Sequence, residues 1–305
     1  MLEQFVLAIL FGLVVGLFSG LLGIGGGTLM VPVFRLGFNM SAIASTATSL
    51  FTIVPTSIAG CITHFKNGTC IAKIGITAGI AGALTSPLGV LAATNSPDIA
   101  IMACAALIIV YSAVTMFRKA LSMPKRSRSD LSMHAALQRF RAEFSDEDLT
   151  PESLEQERAK KEALLAEQKR KLREERKQVT IKMCVLGAAI GLIAGFASGY
   201  VGVGGGFIMV PLFISLLGIT MKQASGTSLF AVVLLAIPGV VTQCMHGNVD
   251  YVAGIAMALG SIPGALIGAS LIRYIPERKL RFLFGFFLLF AAIILIGNEL
   301  GVFAG

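Results

Sequence analysis

Two glycine triplets, Gly25-Gly26-Gly27 and Gly204-Gly205-Gly206, stand in nearly the same setting. Gly16 to Phe34 reads GLFSGLLGIGGGTLMVPVF, and Gly195 to Phe213 reads GFASGYVGVGGGFIMVPLF. The chemistry such triplets offer belongs to the backbone, because glycine has no Cβ, admits positive φ and lets N–H groups approach a ligand closely. If Thr28-Leu29-Met30-Val31 and Phe207-Ile208-Met209-Val210 begin short helices, each triplet precedes unpaired N–H donors and the positive end of a helix dipole. That combination is an anion site. Hydroxyls at matched positions supply neutral donors to complete it: Ser19 and Ser198 before the triplets, and Thr48, Ser49, Thr227 and Ser228 farther along. Small hydroxyl residues also let membrane helices pack closely, so a packing role stays open beside the binding role.

Other chemistries find no support in the residues. GIGGG is followed by no Gly-Lys-Ser/Thr and lies in no βαβ unit, which excludes a P-loop and a dinucleotide fingerprint. Gly16-Leu-Phe-Ser-Gly20 is GxxSG and not the GxSxG of a nucleophile elbow. His64, His134 and His246 are scattered, which argues against a metal centre; His64 and His246, near loop ends, could relay protons but are expected as interfacial polar groups. Cys61, Cys70, Cys104, Cys184 and Cys244 form no CxxC and read as small buried side chains, without disulfides. Arg35 directly follows the first expected short helix, where Ile214 stands in the second copy; it could attract anions at an entrance but is expected to snorkel to the interface as an anchor. No catalytic constellation emerges, and no cofactor is expected.

The elements that must position these residues are set by composition. Hydrophobic residues make up 55% of the chain and charged residues 14%, the balance of a polytopic, all-α membrane protein. Eight uncharged segments run from Gln4 to Phe34, Leu36 to Phe65, Ile74 to Pro97, Ile99 to Phe117, Met183 to Met221, Gln223 to Val249, Tyr251 to Ile272 and Phe282 to Asn298. Six suit one span each, at about 20 residues per crossing. The first and fifth are longer than one straight helix needs, and each holds its triplet near the middle. The leading MLEQ has no Lys or Arg, and the first segment recurs internally, so it reads as retained structure and not as a cleaved signal.

A constant offset of 179 aligns Gly12–Phe34 with Gly191–Phe213 at 13 identities in 23 positions, and pairs Thr48-Ser49-Leu50-Phe51 with Thr227-Ser228-Leu229-Phe230. The chain therefore divides into a first transmembrane repeat (1–119), a charged helical linker (120–181) and a second transmembrane repeat (182–305). From Arg118 to Lys182 lie 17 of the 25 basic and 12 of the 17 acidic residues. Thr150-Pro151 marks a helix start there, with i,i+4 pairs Glu157/Lys161 and Glu167/Lys171 running on toward Gln178. Its interleaved acids and lack of aromatics argue against nucleic-acid binding.

Basic residues crowd both ends of the linker, which by the positive-inside rule places it in the cytoplasm. The remaining loops then conflict with a simple count. In the first half, Lys66 and Lys73 fall inside and Asn95 to Asp98 outside; in the second, Arg273 to Arg281 prefer the inside and His246 to Asp250 the outside. Corresponding loops on opposite sides are the mark of inverted-topology repeats, which need an odd number of crossings per half. Four segments per half satisfy this if each glycine-broken segment is a re-entrant hairpin. The alternative is a kinked single span, giving eight crossings and parallel halves.

The doubled pattern G-x-x-S-G-x-x-G-x-G-G-G-x-x-x-V-P, with a later T-S-L-F block, resembles the sulfite exporter TauE/SafE family over both halves but not the linker. The resemblance implies export of small sulfur-containing anions, such as sulfite or organosulfonates, across a bacterial inner membrane. It carries the family's glycine-rich motif onto Gly23 to Gly27 and Gly202 to Gly206. The expected function is thus secondary transport by alternating access, with a passive anion channel as the rival reading and an integral membrane enzyme behind it. A small anion and the lipid bilayer are the expected partners, nucleic acid is not, and a homo-oligomer is left open.

Overall fold

The computed structural model describes residues 2–122 and 181–299, and the expected linker helix from Thr150 to Gln178 lies outside them. Two compact units divide the chain, Met1–Ala120 with Met183–Gly305, and Leu121–Lys182. All that follows concerns the first. Among the described residues the secondary structure is helical, with no strand. This follows from the solvent: lipid offers no partner to backbone N–H and C=O groups, and an apolar helix satisfies them within itself.

The first half forms α1 (Leu2–Leu22), α2 (Gly27–Gly37), α3 (Ala42–Lys66), α4 (Ala72–Thr94) and α5 (Asp98–Leu121). The second forms α6 (Ile181–Val201), α7 (Gly206–Leu216), α8 (Met221–Met245), α9 (Tyr251–Leu271) and α10 (Glu277–Glu299). Among the described residues seven helices (α1, α3, α4, α5, α6, α8 and α9) are long and apolar enough to cross a membrane. The two overlong segments each break into a long helix and a short one. At 11 residues, α2 and α7 rise only about 16 Å, half a hydrocarbon core.

Glycine faces set the packing. Gly12, Gly16 and Gly20 of α1 lie against Met257, Ser261 and Ala265 of α9, so closely that any Cβ would strike backbone. The register rises together along both helices, so α1 and α9 run parallel. In the same way Gly191, Gly195 and Gly199 of α6 lie against Ala78, Gly82 and Ser86 of α4. Without a hydrophobic driving force in lipid, close backbone approach through small residues is what helix association rests on. The long helix of each half thus docks on a span of the other half.

Two further registers fix the remaining spans. α3 runs beside α9, with Asp250 N donating to Thr48 Oγ1 (3.0 Å), Thr52 Oγ1 to Gly254 O (3.3 Å), and Thr56 Oγ1 bonded to Ser261 Oγ (2.5 Å). α8 runs beside α4, with Ile71 N donating to Thr227 Oγ1 (3.0 Å), and Phe230 and Leu234 packed on Gly75 and Gly79. The helix starts are tied down by matched acids. Asp98 Oδ2 accepts from Ala42 N (3.2 Å) and pairs with Arg35 Nη1 (3.2 Å); Glu277 Oε1 accepts from Met221 N (3.0 Å) and pairs with Arg281 Nη2 (2.5 Å). Arg35 is held between Asp98 and the Met40 carbonyl (3.2 Å). A carboxylate 63 residues away, at the start of α5, provides its partner.

Candidate functional site at the glycine loops

α1 closes with Gly23 N donating to Ser19 O, and α6 with Gly202 N donating to Ser198 O, both at 2.8 Å. The chain then reverses. Gly25 and Gly27 lie beside Ile53 of α3, and α2 ends where Met40 N bonds Phe34 O, just before α3 begins. So α2 runs back along α3 toward its start. α7 does the same along α8, from Gly205 beside Leu235 to Leu216 just ahead of Met221.

Each reversal turns on a glycine at the helix N-cap. Gly26 has φ 87° and Gly205 φ 63°, left-handed values that place the next N–H groups at the head of the short helix without a Cβ penalty. Neither N-terminus has a side-chain cap. Leu29 N and Ile208 N turn back to the cap carbonyls of Gly26 and Gly205 (3.2 and 3.1 Å) and Gly206 N to Gly204 O (2.6 Å), which leaves the N–H groups of Gly27, Thr28 and Phe207 without a partner among the described residues. Pro32 and Pro211 lie within α2 and α7, six residues beyond these caps.

The two loops touch. A Cβ on Gly27 would lie 2.6 Å from Val203 O, and one on Gly206 2.5 Å from Gly23 O. Ile53 and Val232, which correspond by the 179-residue offset, close over Gly25, and Ile53 also covers Gly204. Residues 21–32 and 201–211 are all buried. Gly25, Gly26, Gly27, Gly204, Gly205 and Gly206 are therefore brought to one place in the interior.

The hydroxyls divide into two groups. Ser19, Ser49 and Ser198 are buried with no hydrogen-bond partner, as are Thr28 and Ser57. Ser19 flanks Gly26 and Ser57 flanks Gly25. Thr48 and Thr227 serve elsewhere, accepting the backbone N–H groups that open α9 and α4, and Ser228 donates to Gly23 O (2.7 Å) and Ser225 O (2.9 Å). Sequence reasoning passed over Ser57 because its counterpart is Ala236, so matching the halves removed it. Thr28 had a signal, its place directly after the first triplet.

His64 departs from expectation. It is fully buried at the end of α3 and is not a loop-end polar group, because its ring sits between α1 and the loop before α4: Nε2 bonds Gly20 O and Nδ1 bonds Thr69 Oγ1, both at 2.8 Å. His246 is exposed as expected, with Nδ1 on Thr242 O (2.8 Å). All five cysteines are free.

Chemically, this arrangement offers backbone N–H groups and neutral hydroxyls in a desolvated place. From Phe5 to Phe34 and from Val201 to Leu216 there is no charged side chain. Two grooves, of about 580 and 390 Å³, run beside the short helices and are lined almost wholly by apolar residues, among them Phe196 and Ile208 in the larger and Val15 and Leu29 in the smaller. They offer an anion nothing.

The family model described as sulfite exporter TauE/SafE matches residues 8–295, which takes in both loops. The chain belongs to the TauE/SafE family. As a TauE/SafE protein it is a membrane transporter, and its curated relatives carry that description. It is 24% identical to the probable membrane transporter protein YunE of Bacillus subtilis over 313 residues, covering 99% of this chain and all of the relative. It is 22% identical to the probable membrane transporter protein YdhB of the same organism, covering 90% of this chain and 93% of the relative. A probable membrane transporter protein of Methanocaldococcus jannaschii, MJ0441, is 26% identical over 88% of this chain and 82% of its own length. No solved structure matches this TauE/SafE chain.

Proposed function

We propose that the protein is a secondary transporter, acting as an exporter, of small sulfur-containing anions such as sulfite or organosulfonates, and that it works by alternating access. The observation that carries this reading is the meeting of two uncapped helix N-termini, at Gly26 and Gly205, in one buried place beside hydroxyls that have no partner. Each N-terminus contributes about half a positive charge, and the orphan N–H groups supply the hydrogen bonds an oxyanion needs. The glycine triplets with Ser19, Ser49 and Ser198 form the binding surface, joined by Ser57 and Thr28. Thr48, Thr227 and Ser228 act through the helix ends and the loop they hold.

The helix directions support inverted-topology repeats. α1 runs with α9 and α6 with α4, while α3 and α4, like α8 and α9, are joined by five-residue loops that reverse the chain. Matched helices thus point opposite ways, and α1–α2 and α6–α7 are re-entrant hairpins entering from opposite faces. Because each long helix docks on a span of the other half, a hairpin and its supporting span move together: α1 with α9, α6 with α4. The linker is cytoplasmic, in a bacterial inner membrane.

Two measurements test the reading. In a labelling scan with single cysteines, Asn248 should be reached from outside and Lys279 from inside; the reverse would favour the kinked-span alternative and defeat the inverted arrangement. Purified protein should gain thermal stability with sulfite, sulfoacetate or methanesulfonate, since a ligand that binds only the folded state stabilises it by mass action. In vesicles the flux should saturate and show counterflow. Conduction without exchange would favour a channel.

A further inference from the structure

α1 ends inside the protein, so the carbonyls of its last turn have no helical partner and no water. Side chains take three of them: His64 Nε2 bonds Gly20 O (2.8 Å), Ser225 Oγ donates to Leu22 O (3.0 Å), and Ser228 Oγ to Gly23 O (2.7 Å). α6 ends in the matched place, yet the matched residues do otherwise. Gln243 Oε1 accepts from Asn248 Nδ2 (2.8 Å) while its Nε2 has no partner, Thr46 Oγ1 donates to Ile43 O (2.9 Å), and Ser49 Oγ has no partner. The bracket at the first loop contains a group that can take a proton. The bracket at the second does not.

The partners of His64 can accommodate one. A carbonyl only accepts, so Nε2 carries the hydrogen that goes to Gly20 O, and in the neutral ring Nδ1 accepts from the Thr69 hydroxyl. A proton added at Nδ1 reverses that second bond: Nδ1–H donates to Thr69 Oγ1, and the Thr69 hydroxyl turns to the His64 carbonyl, already 3.2 Å away. The ring itself need not move. Its slot is tight, since a Cβ on Gly226 of α8 would lie 3.0 Å from Nδ1.

The imidazolium would lack a protein counter-charge. α1 from Phe5 onward, α3, α4, α8, α9 and the loop from Asn67 to Ile71 contain no Asp or Glu. The titratable groups at this end are Cys61, Lys66, Cys70, Lys73, Lys222 and Arg273, and burial with the neighbouring Cys61 pushes the Cys70 thiol up to about 12, so it stays neutral. Glu277 on α10, at the same end, is already held by Met221 N–H and Arg281. The α1 C-terminus favours a cation, but only with a partial charge.

The missing counter-charge is the substrate. Ser57, beside Gly25, precedes His64 by seven residues on α3, about 10 Å of helix rise. We propose that His64 is a positioning residue for the first glycine loop that couples a proton to the anion: the proton on Nδ1 and the anion at the loops each favour binding of the other. This rests on the anion-binding reading above. At about 10 Å with an effective dielectric near 20, the two charges attract enough to change affinity by about tenfold, and by linkage the effect is reciprocal.

Purified full-length protein is titrated with methanesulfonate, whose charge is constant from pH 8 to 5.5, with affinity taken from thermal stabilisation. The wild type should bind more tightly as the pH falls from 8 to 5.5, the rise staying within the limit of about tenfold, and should take up a fraction of a proton on binding at pH 5.5 and none at pH 8. His64→Gln, which installs the second half's residue, should bind like the wild type at pH 8 and show neither the rise nor the proton uptake. Thr69→Val, which keeps the Gly20 bond, should lose most of the rise. If His64→Gln kept the wild-type pH profile, or if wild-type affinity were flat with pH, the proposal would be overturned. Should His64→Gln not fold, wild-type proton uptake and Thr69→Val decide the matter. No stabilisation by methanesulfonate, sulfite or sulfoacetate at any pH would overturn the anion reading itself, and this inference with it.

Discussion

At the end of α1, side chains of α3 and α8 hold the carbonyls of Gly20, Leu22 and Gly23; at the end of α6, the matched Gln243 Nε2 and Ser49 Oγ hold nothing. The glycines, by contrast, are used alike in both loops, with left-handed backbone at Gly23, Gly25 and Gly26 and again at Gly202, Gly204 and Gly205. Backbone geometry is thus the shared requirement and side-chain hydrogen bonding is where the halves differ. A loop conformation that demands glycine at several positions leaves little room for drift. A hydroxyl or imidazole that merely holds a carbonyl can be exchanged at a cost of about 1 kcal/mol.

The largest effect is expected where the loops touch. Gly27→Val and Gly206→Val each drive a branched side chain into the other loop's backbone, so overpacking of about 1–3 kcal/mol or more should lower the thermal unfolding midpoint of both. A variant as stable as the wild type would mean that the loops do not meet. Gly26→Ala and Gly205→Ala come next. Each forces a Cβ into left-handed backbone at about 1–2 kcal/mol, and each should abolish anion binding in a protein that still unfolds cooperatively. Loss of binding in only one of the two would break the idea of a shared site.

Smaller effects sharpen the difference between the halves. Ser228→Ala should cost about 1 kcal/mol by freeing the Gly23 carbonyl, whereas Ser49→Ala, which removes a partnerless hydroxyl, should leave stability unchanged and weaken anion binding. Equal destabilisation in chemical unfolding would erase the contrast. The least change is expected from Asp98→Asn, because asparagine caps a helix as well as aspartate and the partly exposed Arg35 pair contributes less than about 1 kcal/mol.

Several of these features were legible in the residues. The overlong segments, the doubled triplet and the hydrophobic runs follow from local composition, and the helices fall where the runs do, with two extra breaks at the glycines. The proposed hydroxyls were legible only in part: Ser19 lies beside Gly26, Ser49 and Ser198 are buried without a partner, and Thr48 and Thr227 instead receive the N–H groups of Asp250 and Ile71, just ahead of α9 and α4. The acids Asp98 and Glu277 were visible as a matched pair at the 179-residue offset, each after a proline, yet their role depends on Ala42 and Met221, 56 residues before them. The glycine stripe Gly12-Gly16-Gly20 announced a close helix contact without naming its partner.

What the sequence determined by itself is the solvent, the repeat and the places where a helix must break, since all three depend on residue type and spacing along the chain. Only tertiary structure decided which helix meets which. α1 lies on α9 and α6 on α4 because glycine faces of complementary shape, more than 200 and about 110 residues apart, pack better across the halves than within them, and no local pattern records that choice. The same packing turned His64 from a loop-end residue into the buried partner of Gly20, leaving its second ring nitrogen on Thr69 within reach of one more proton.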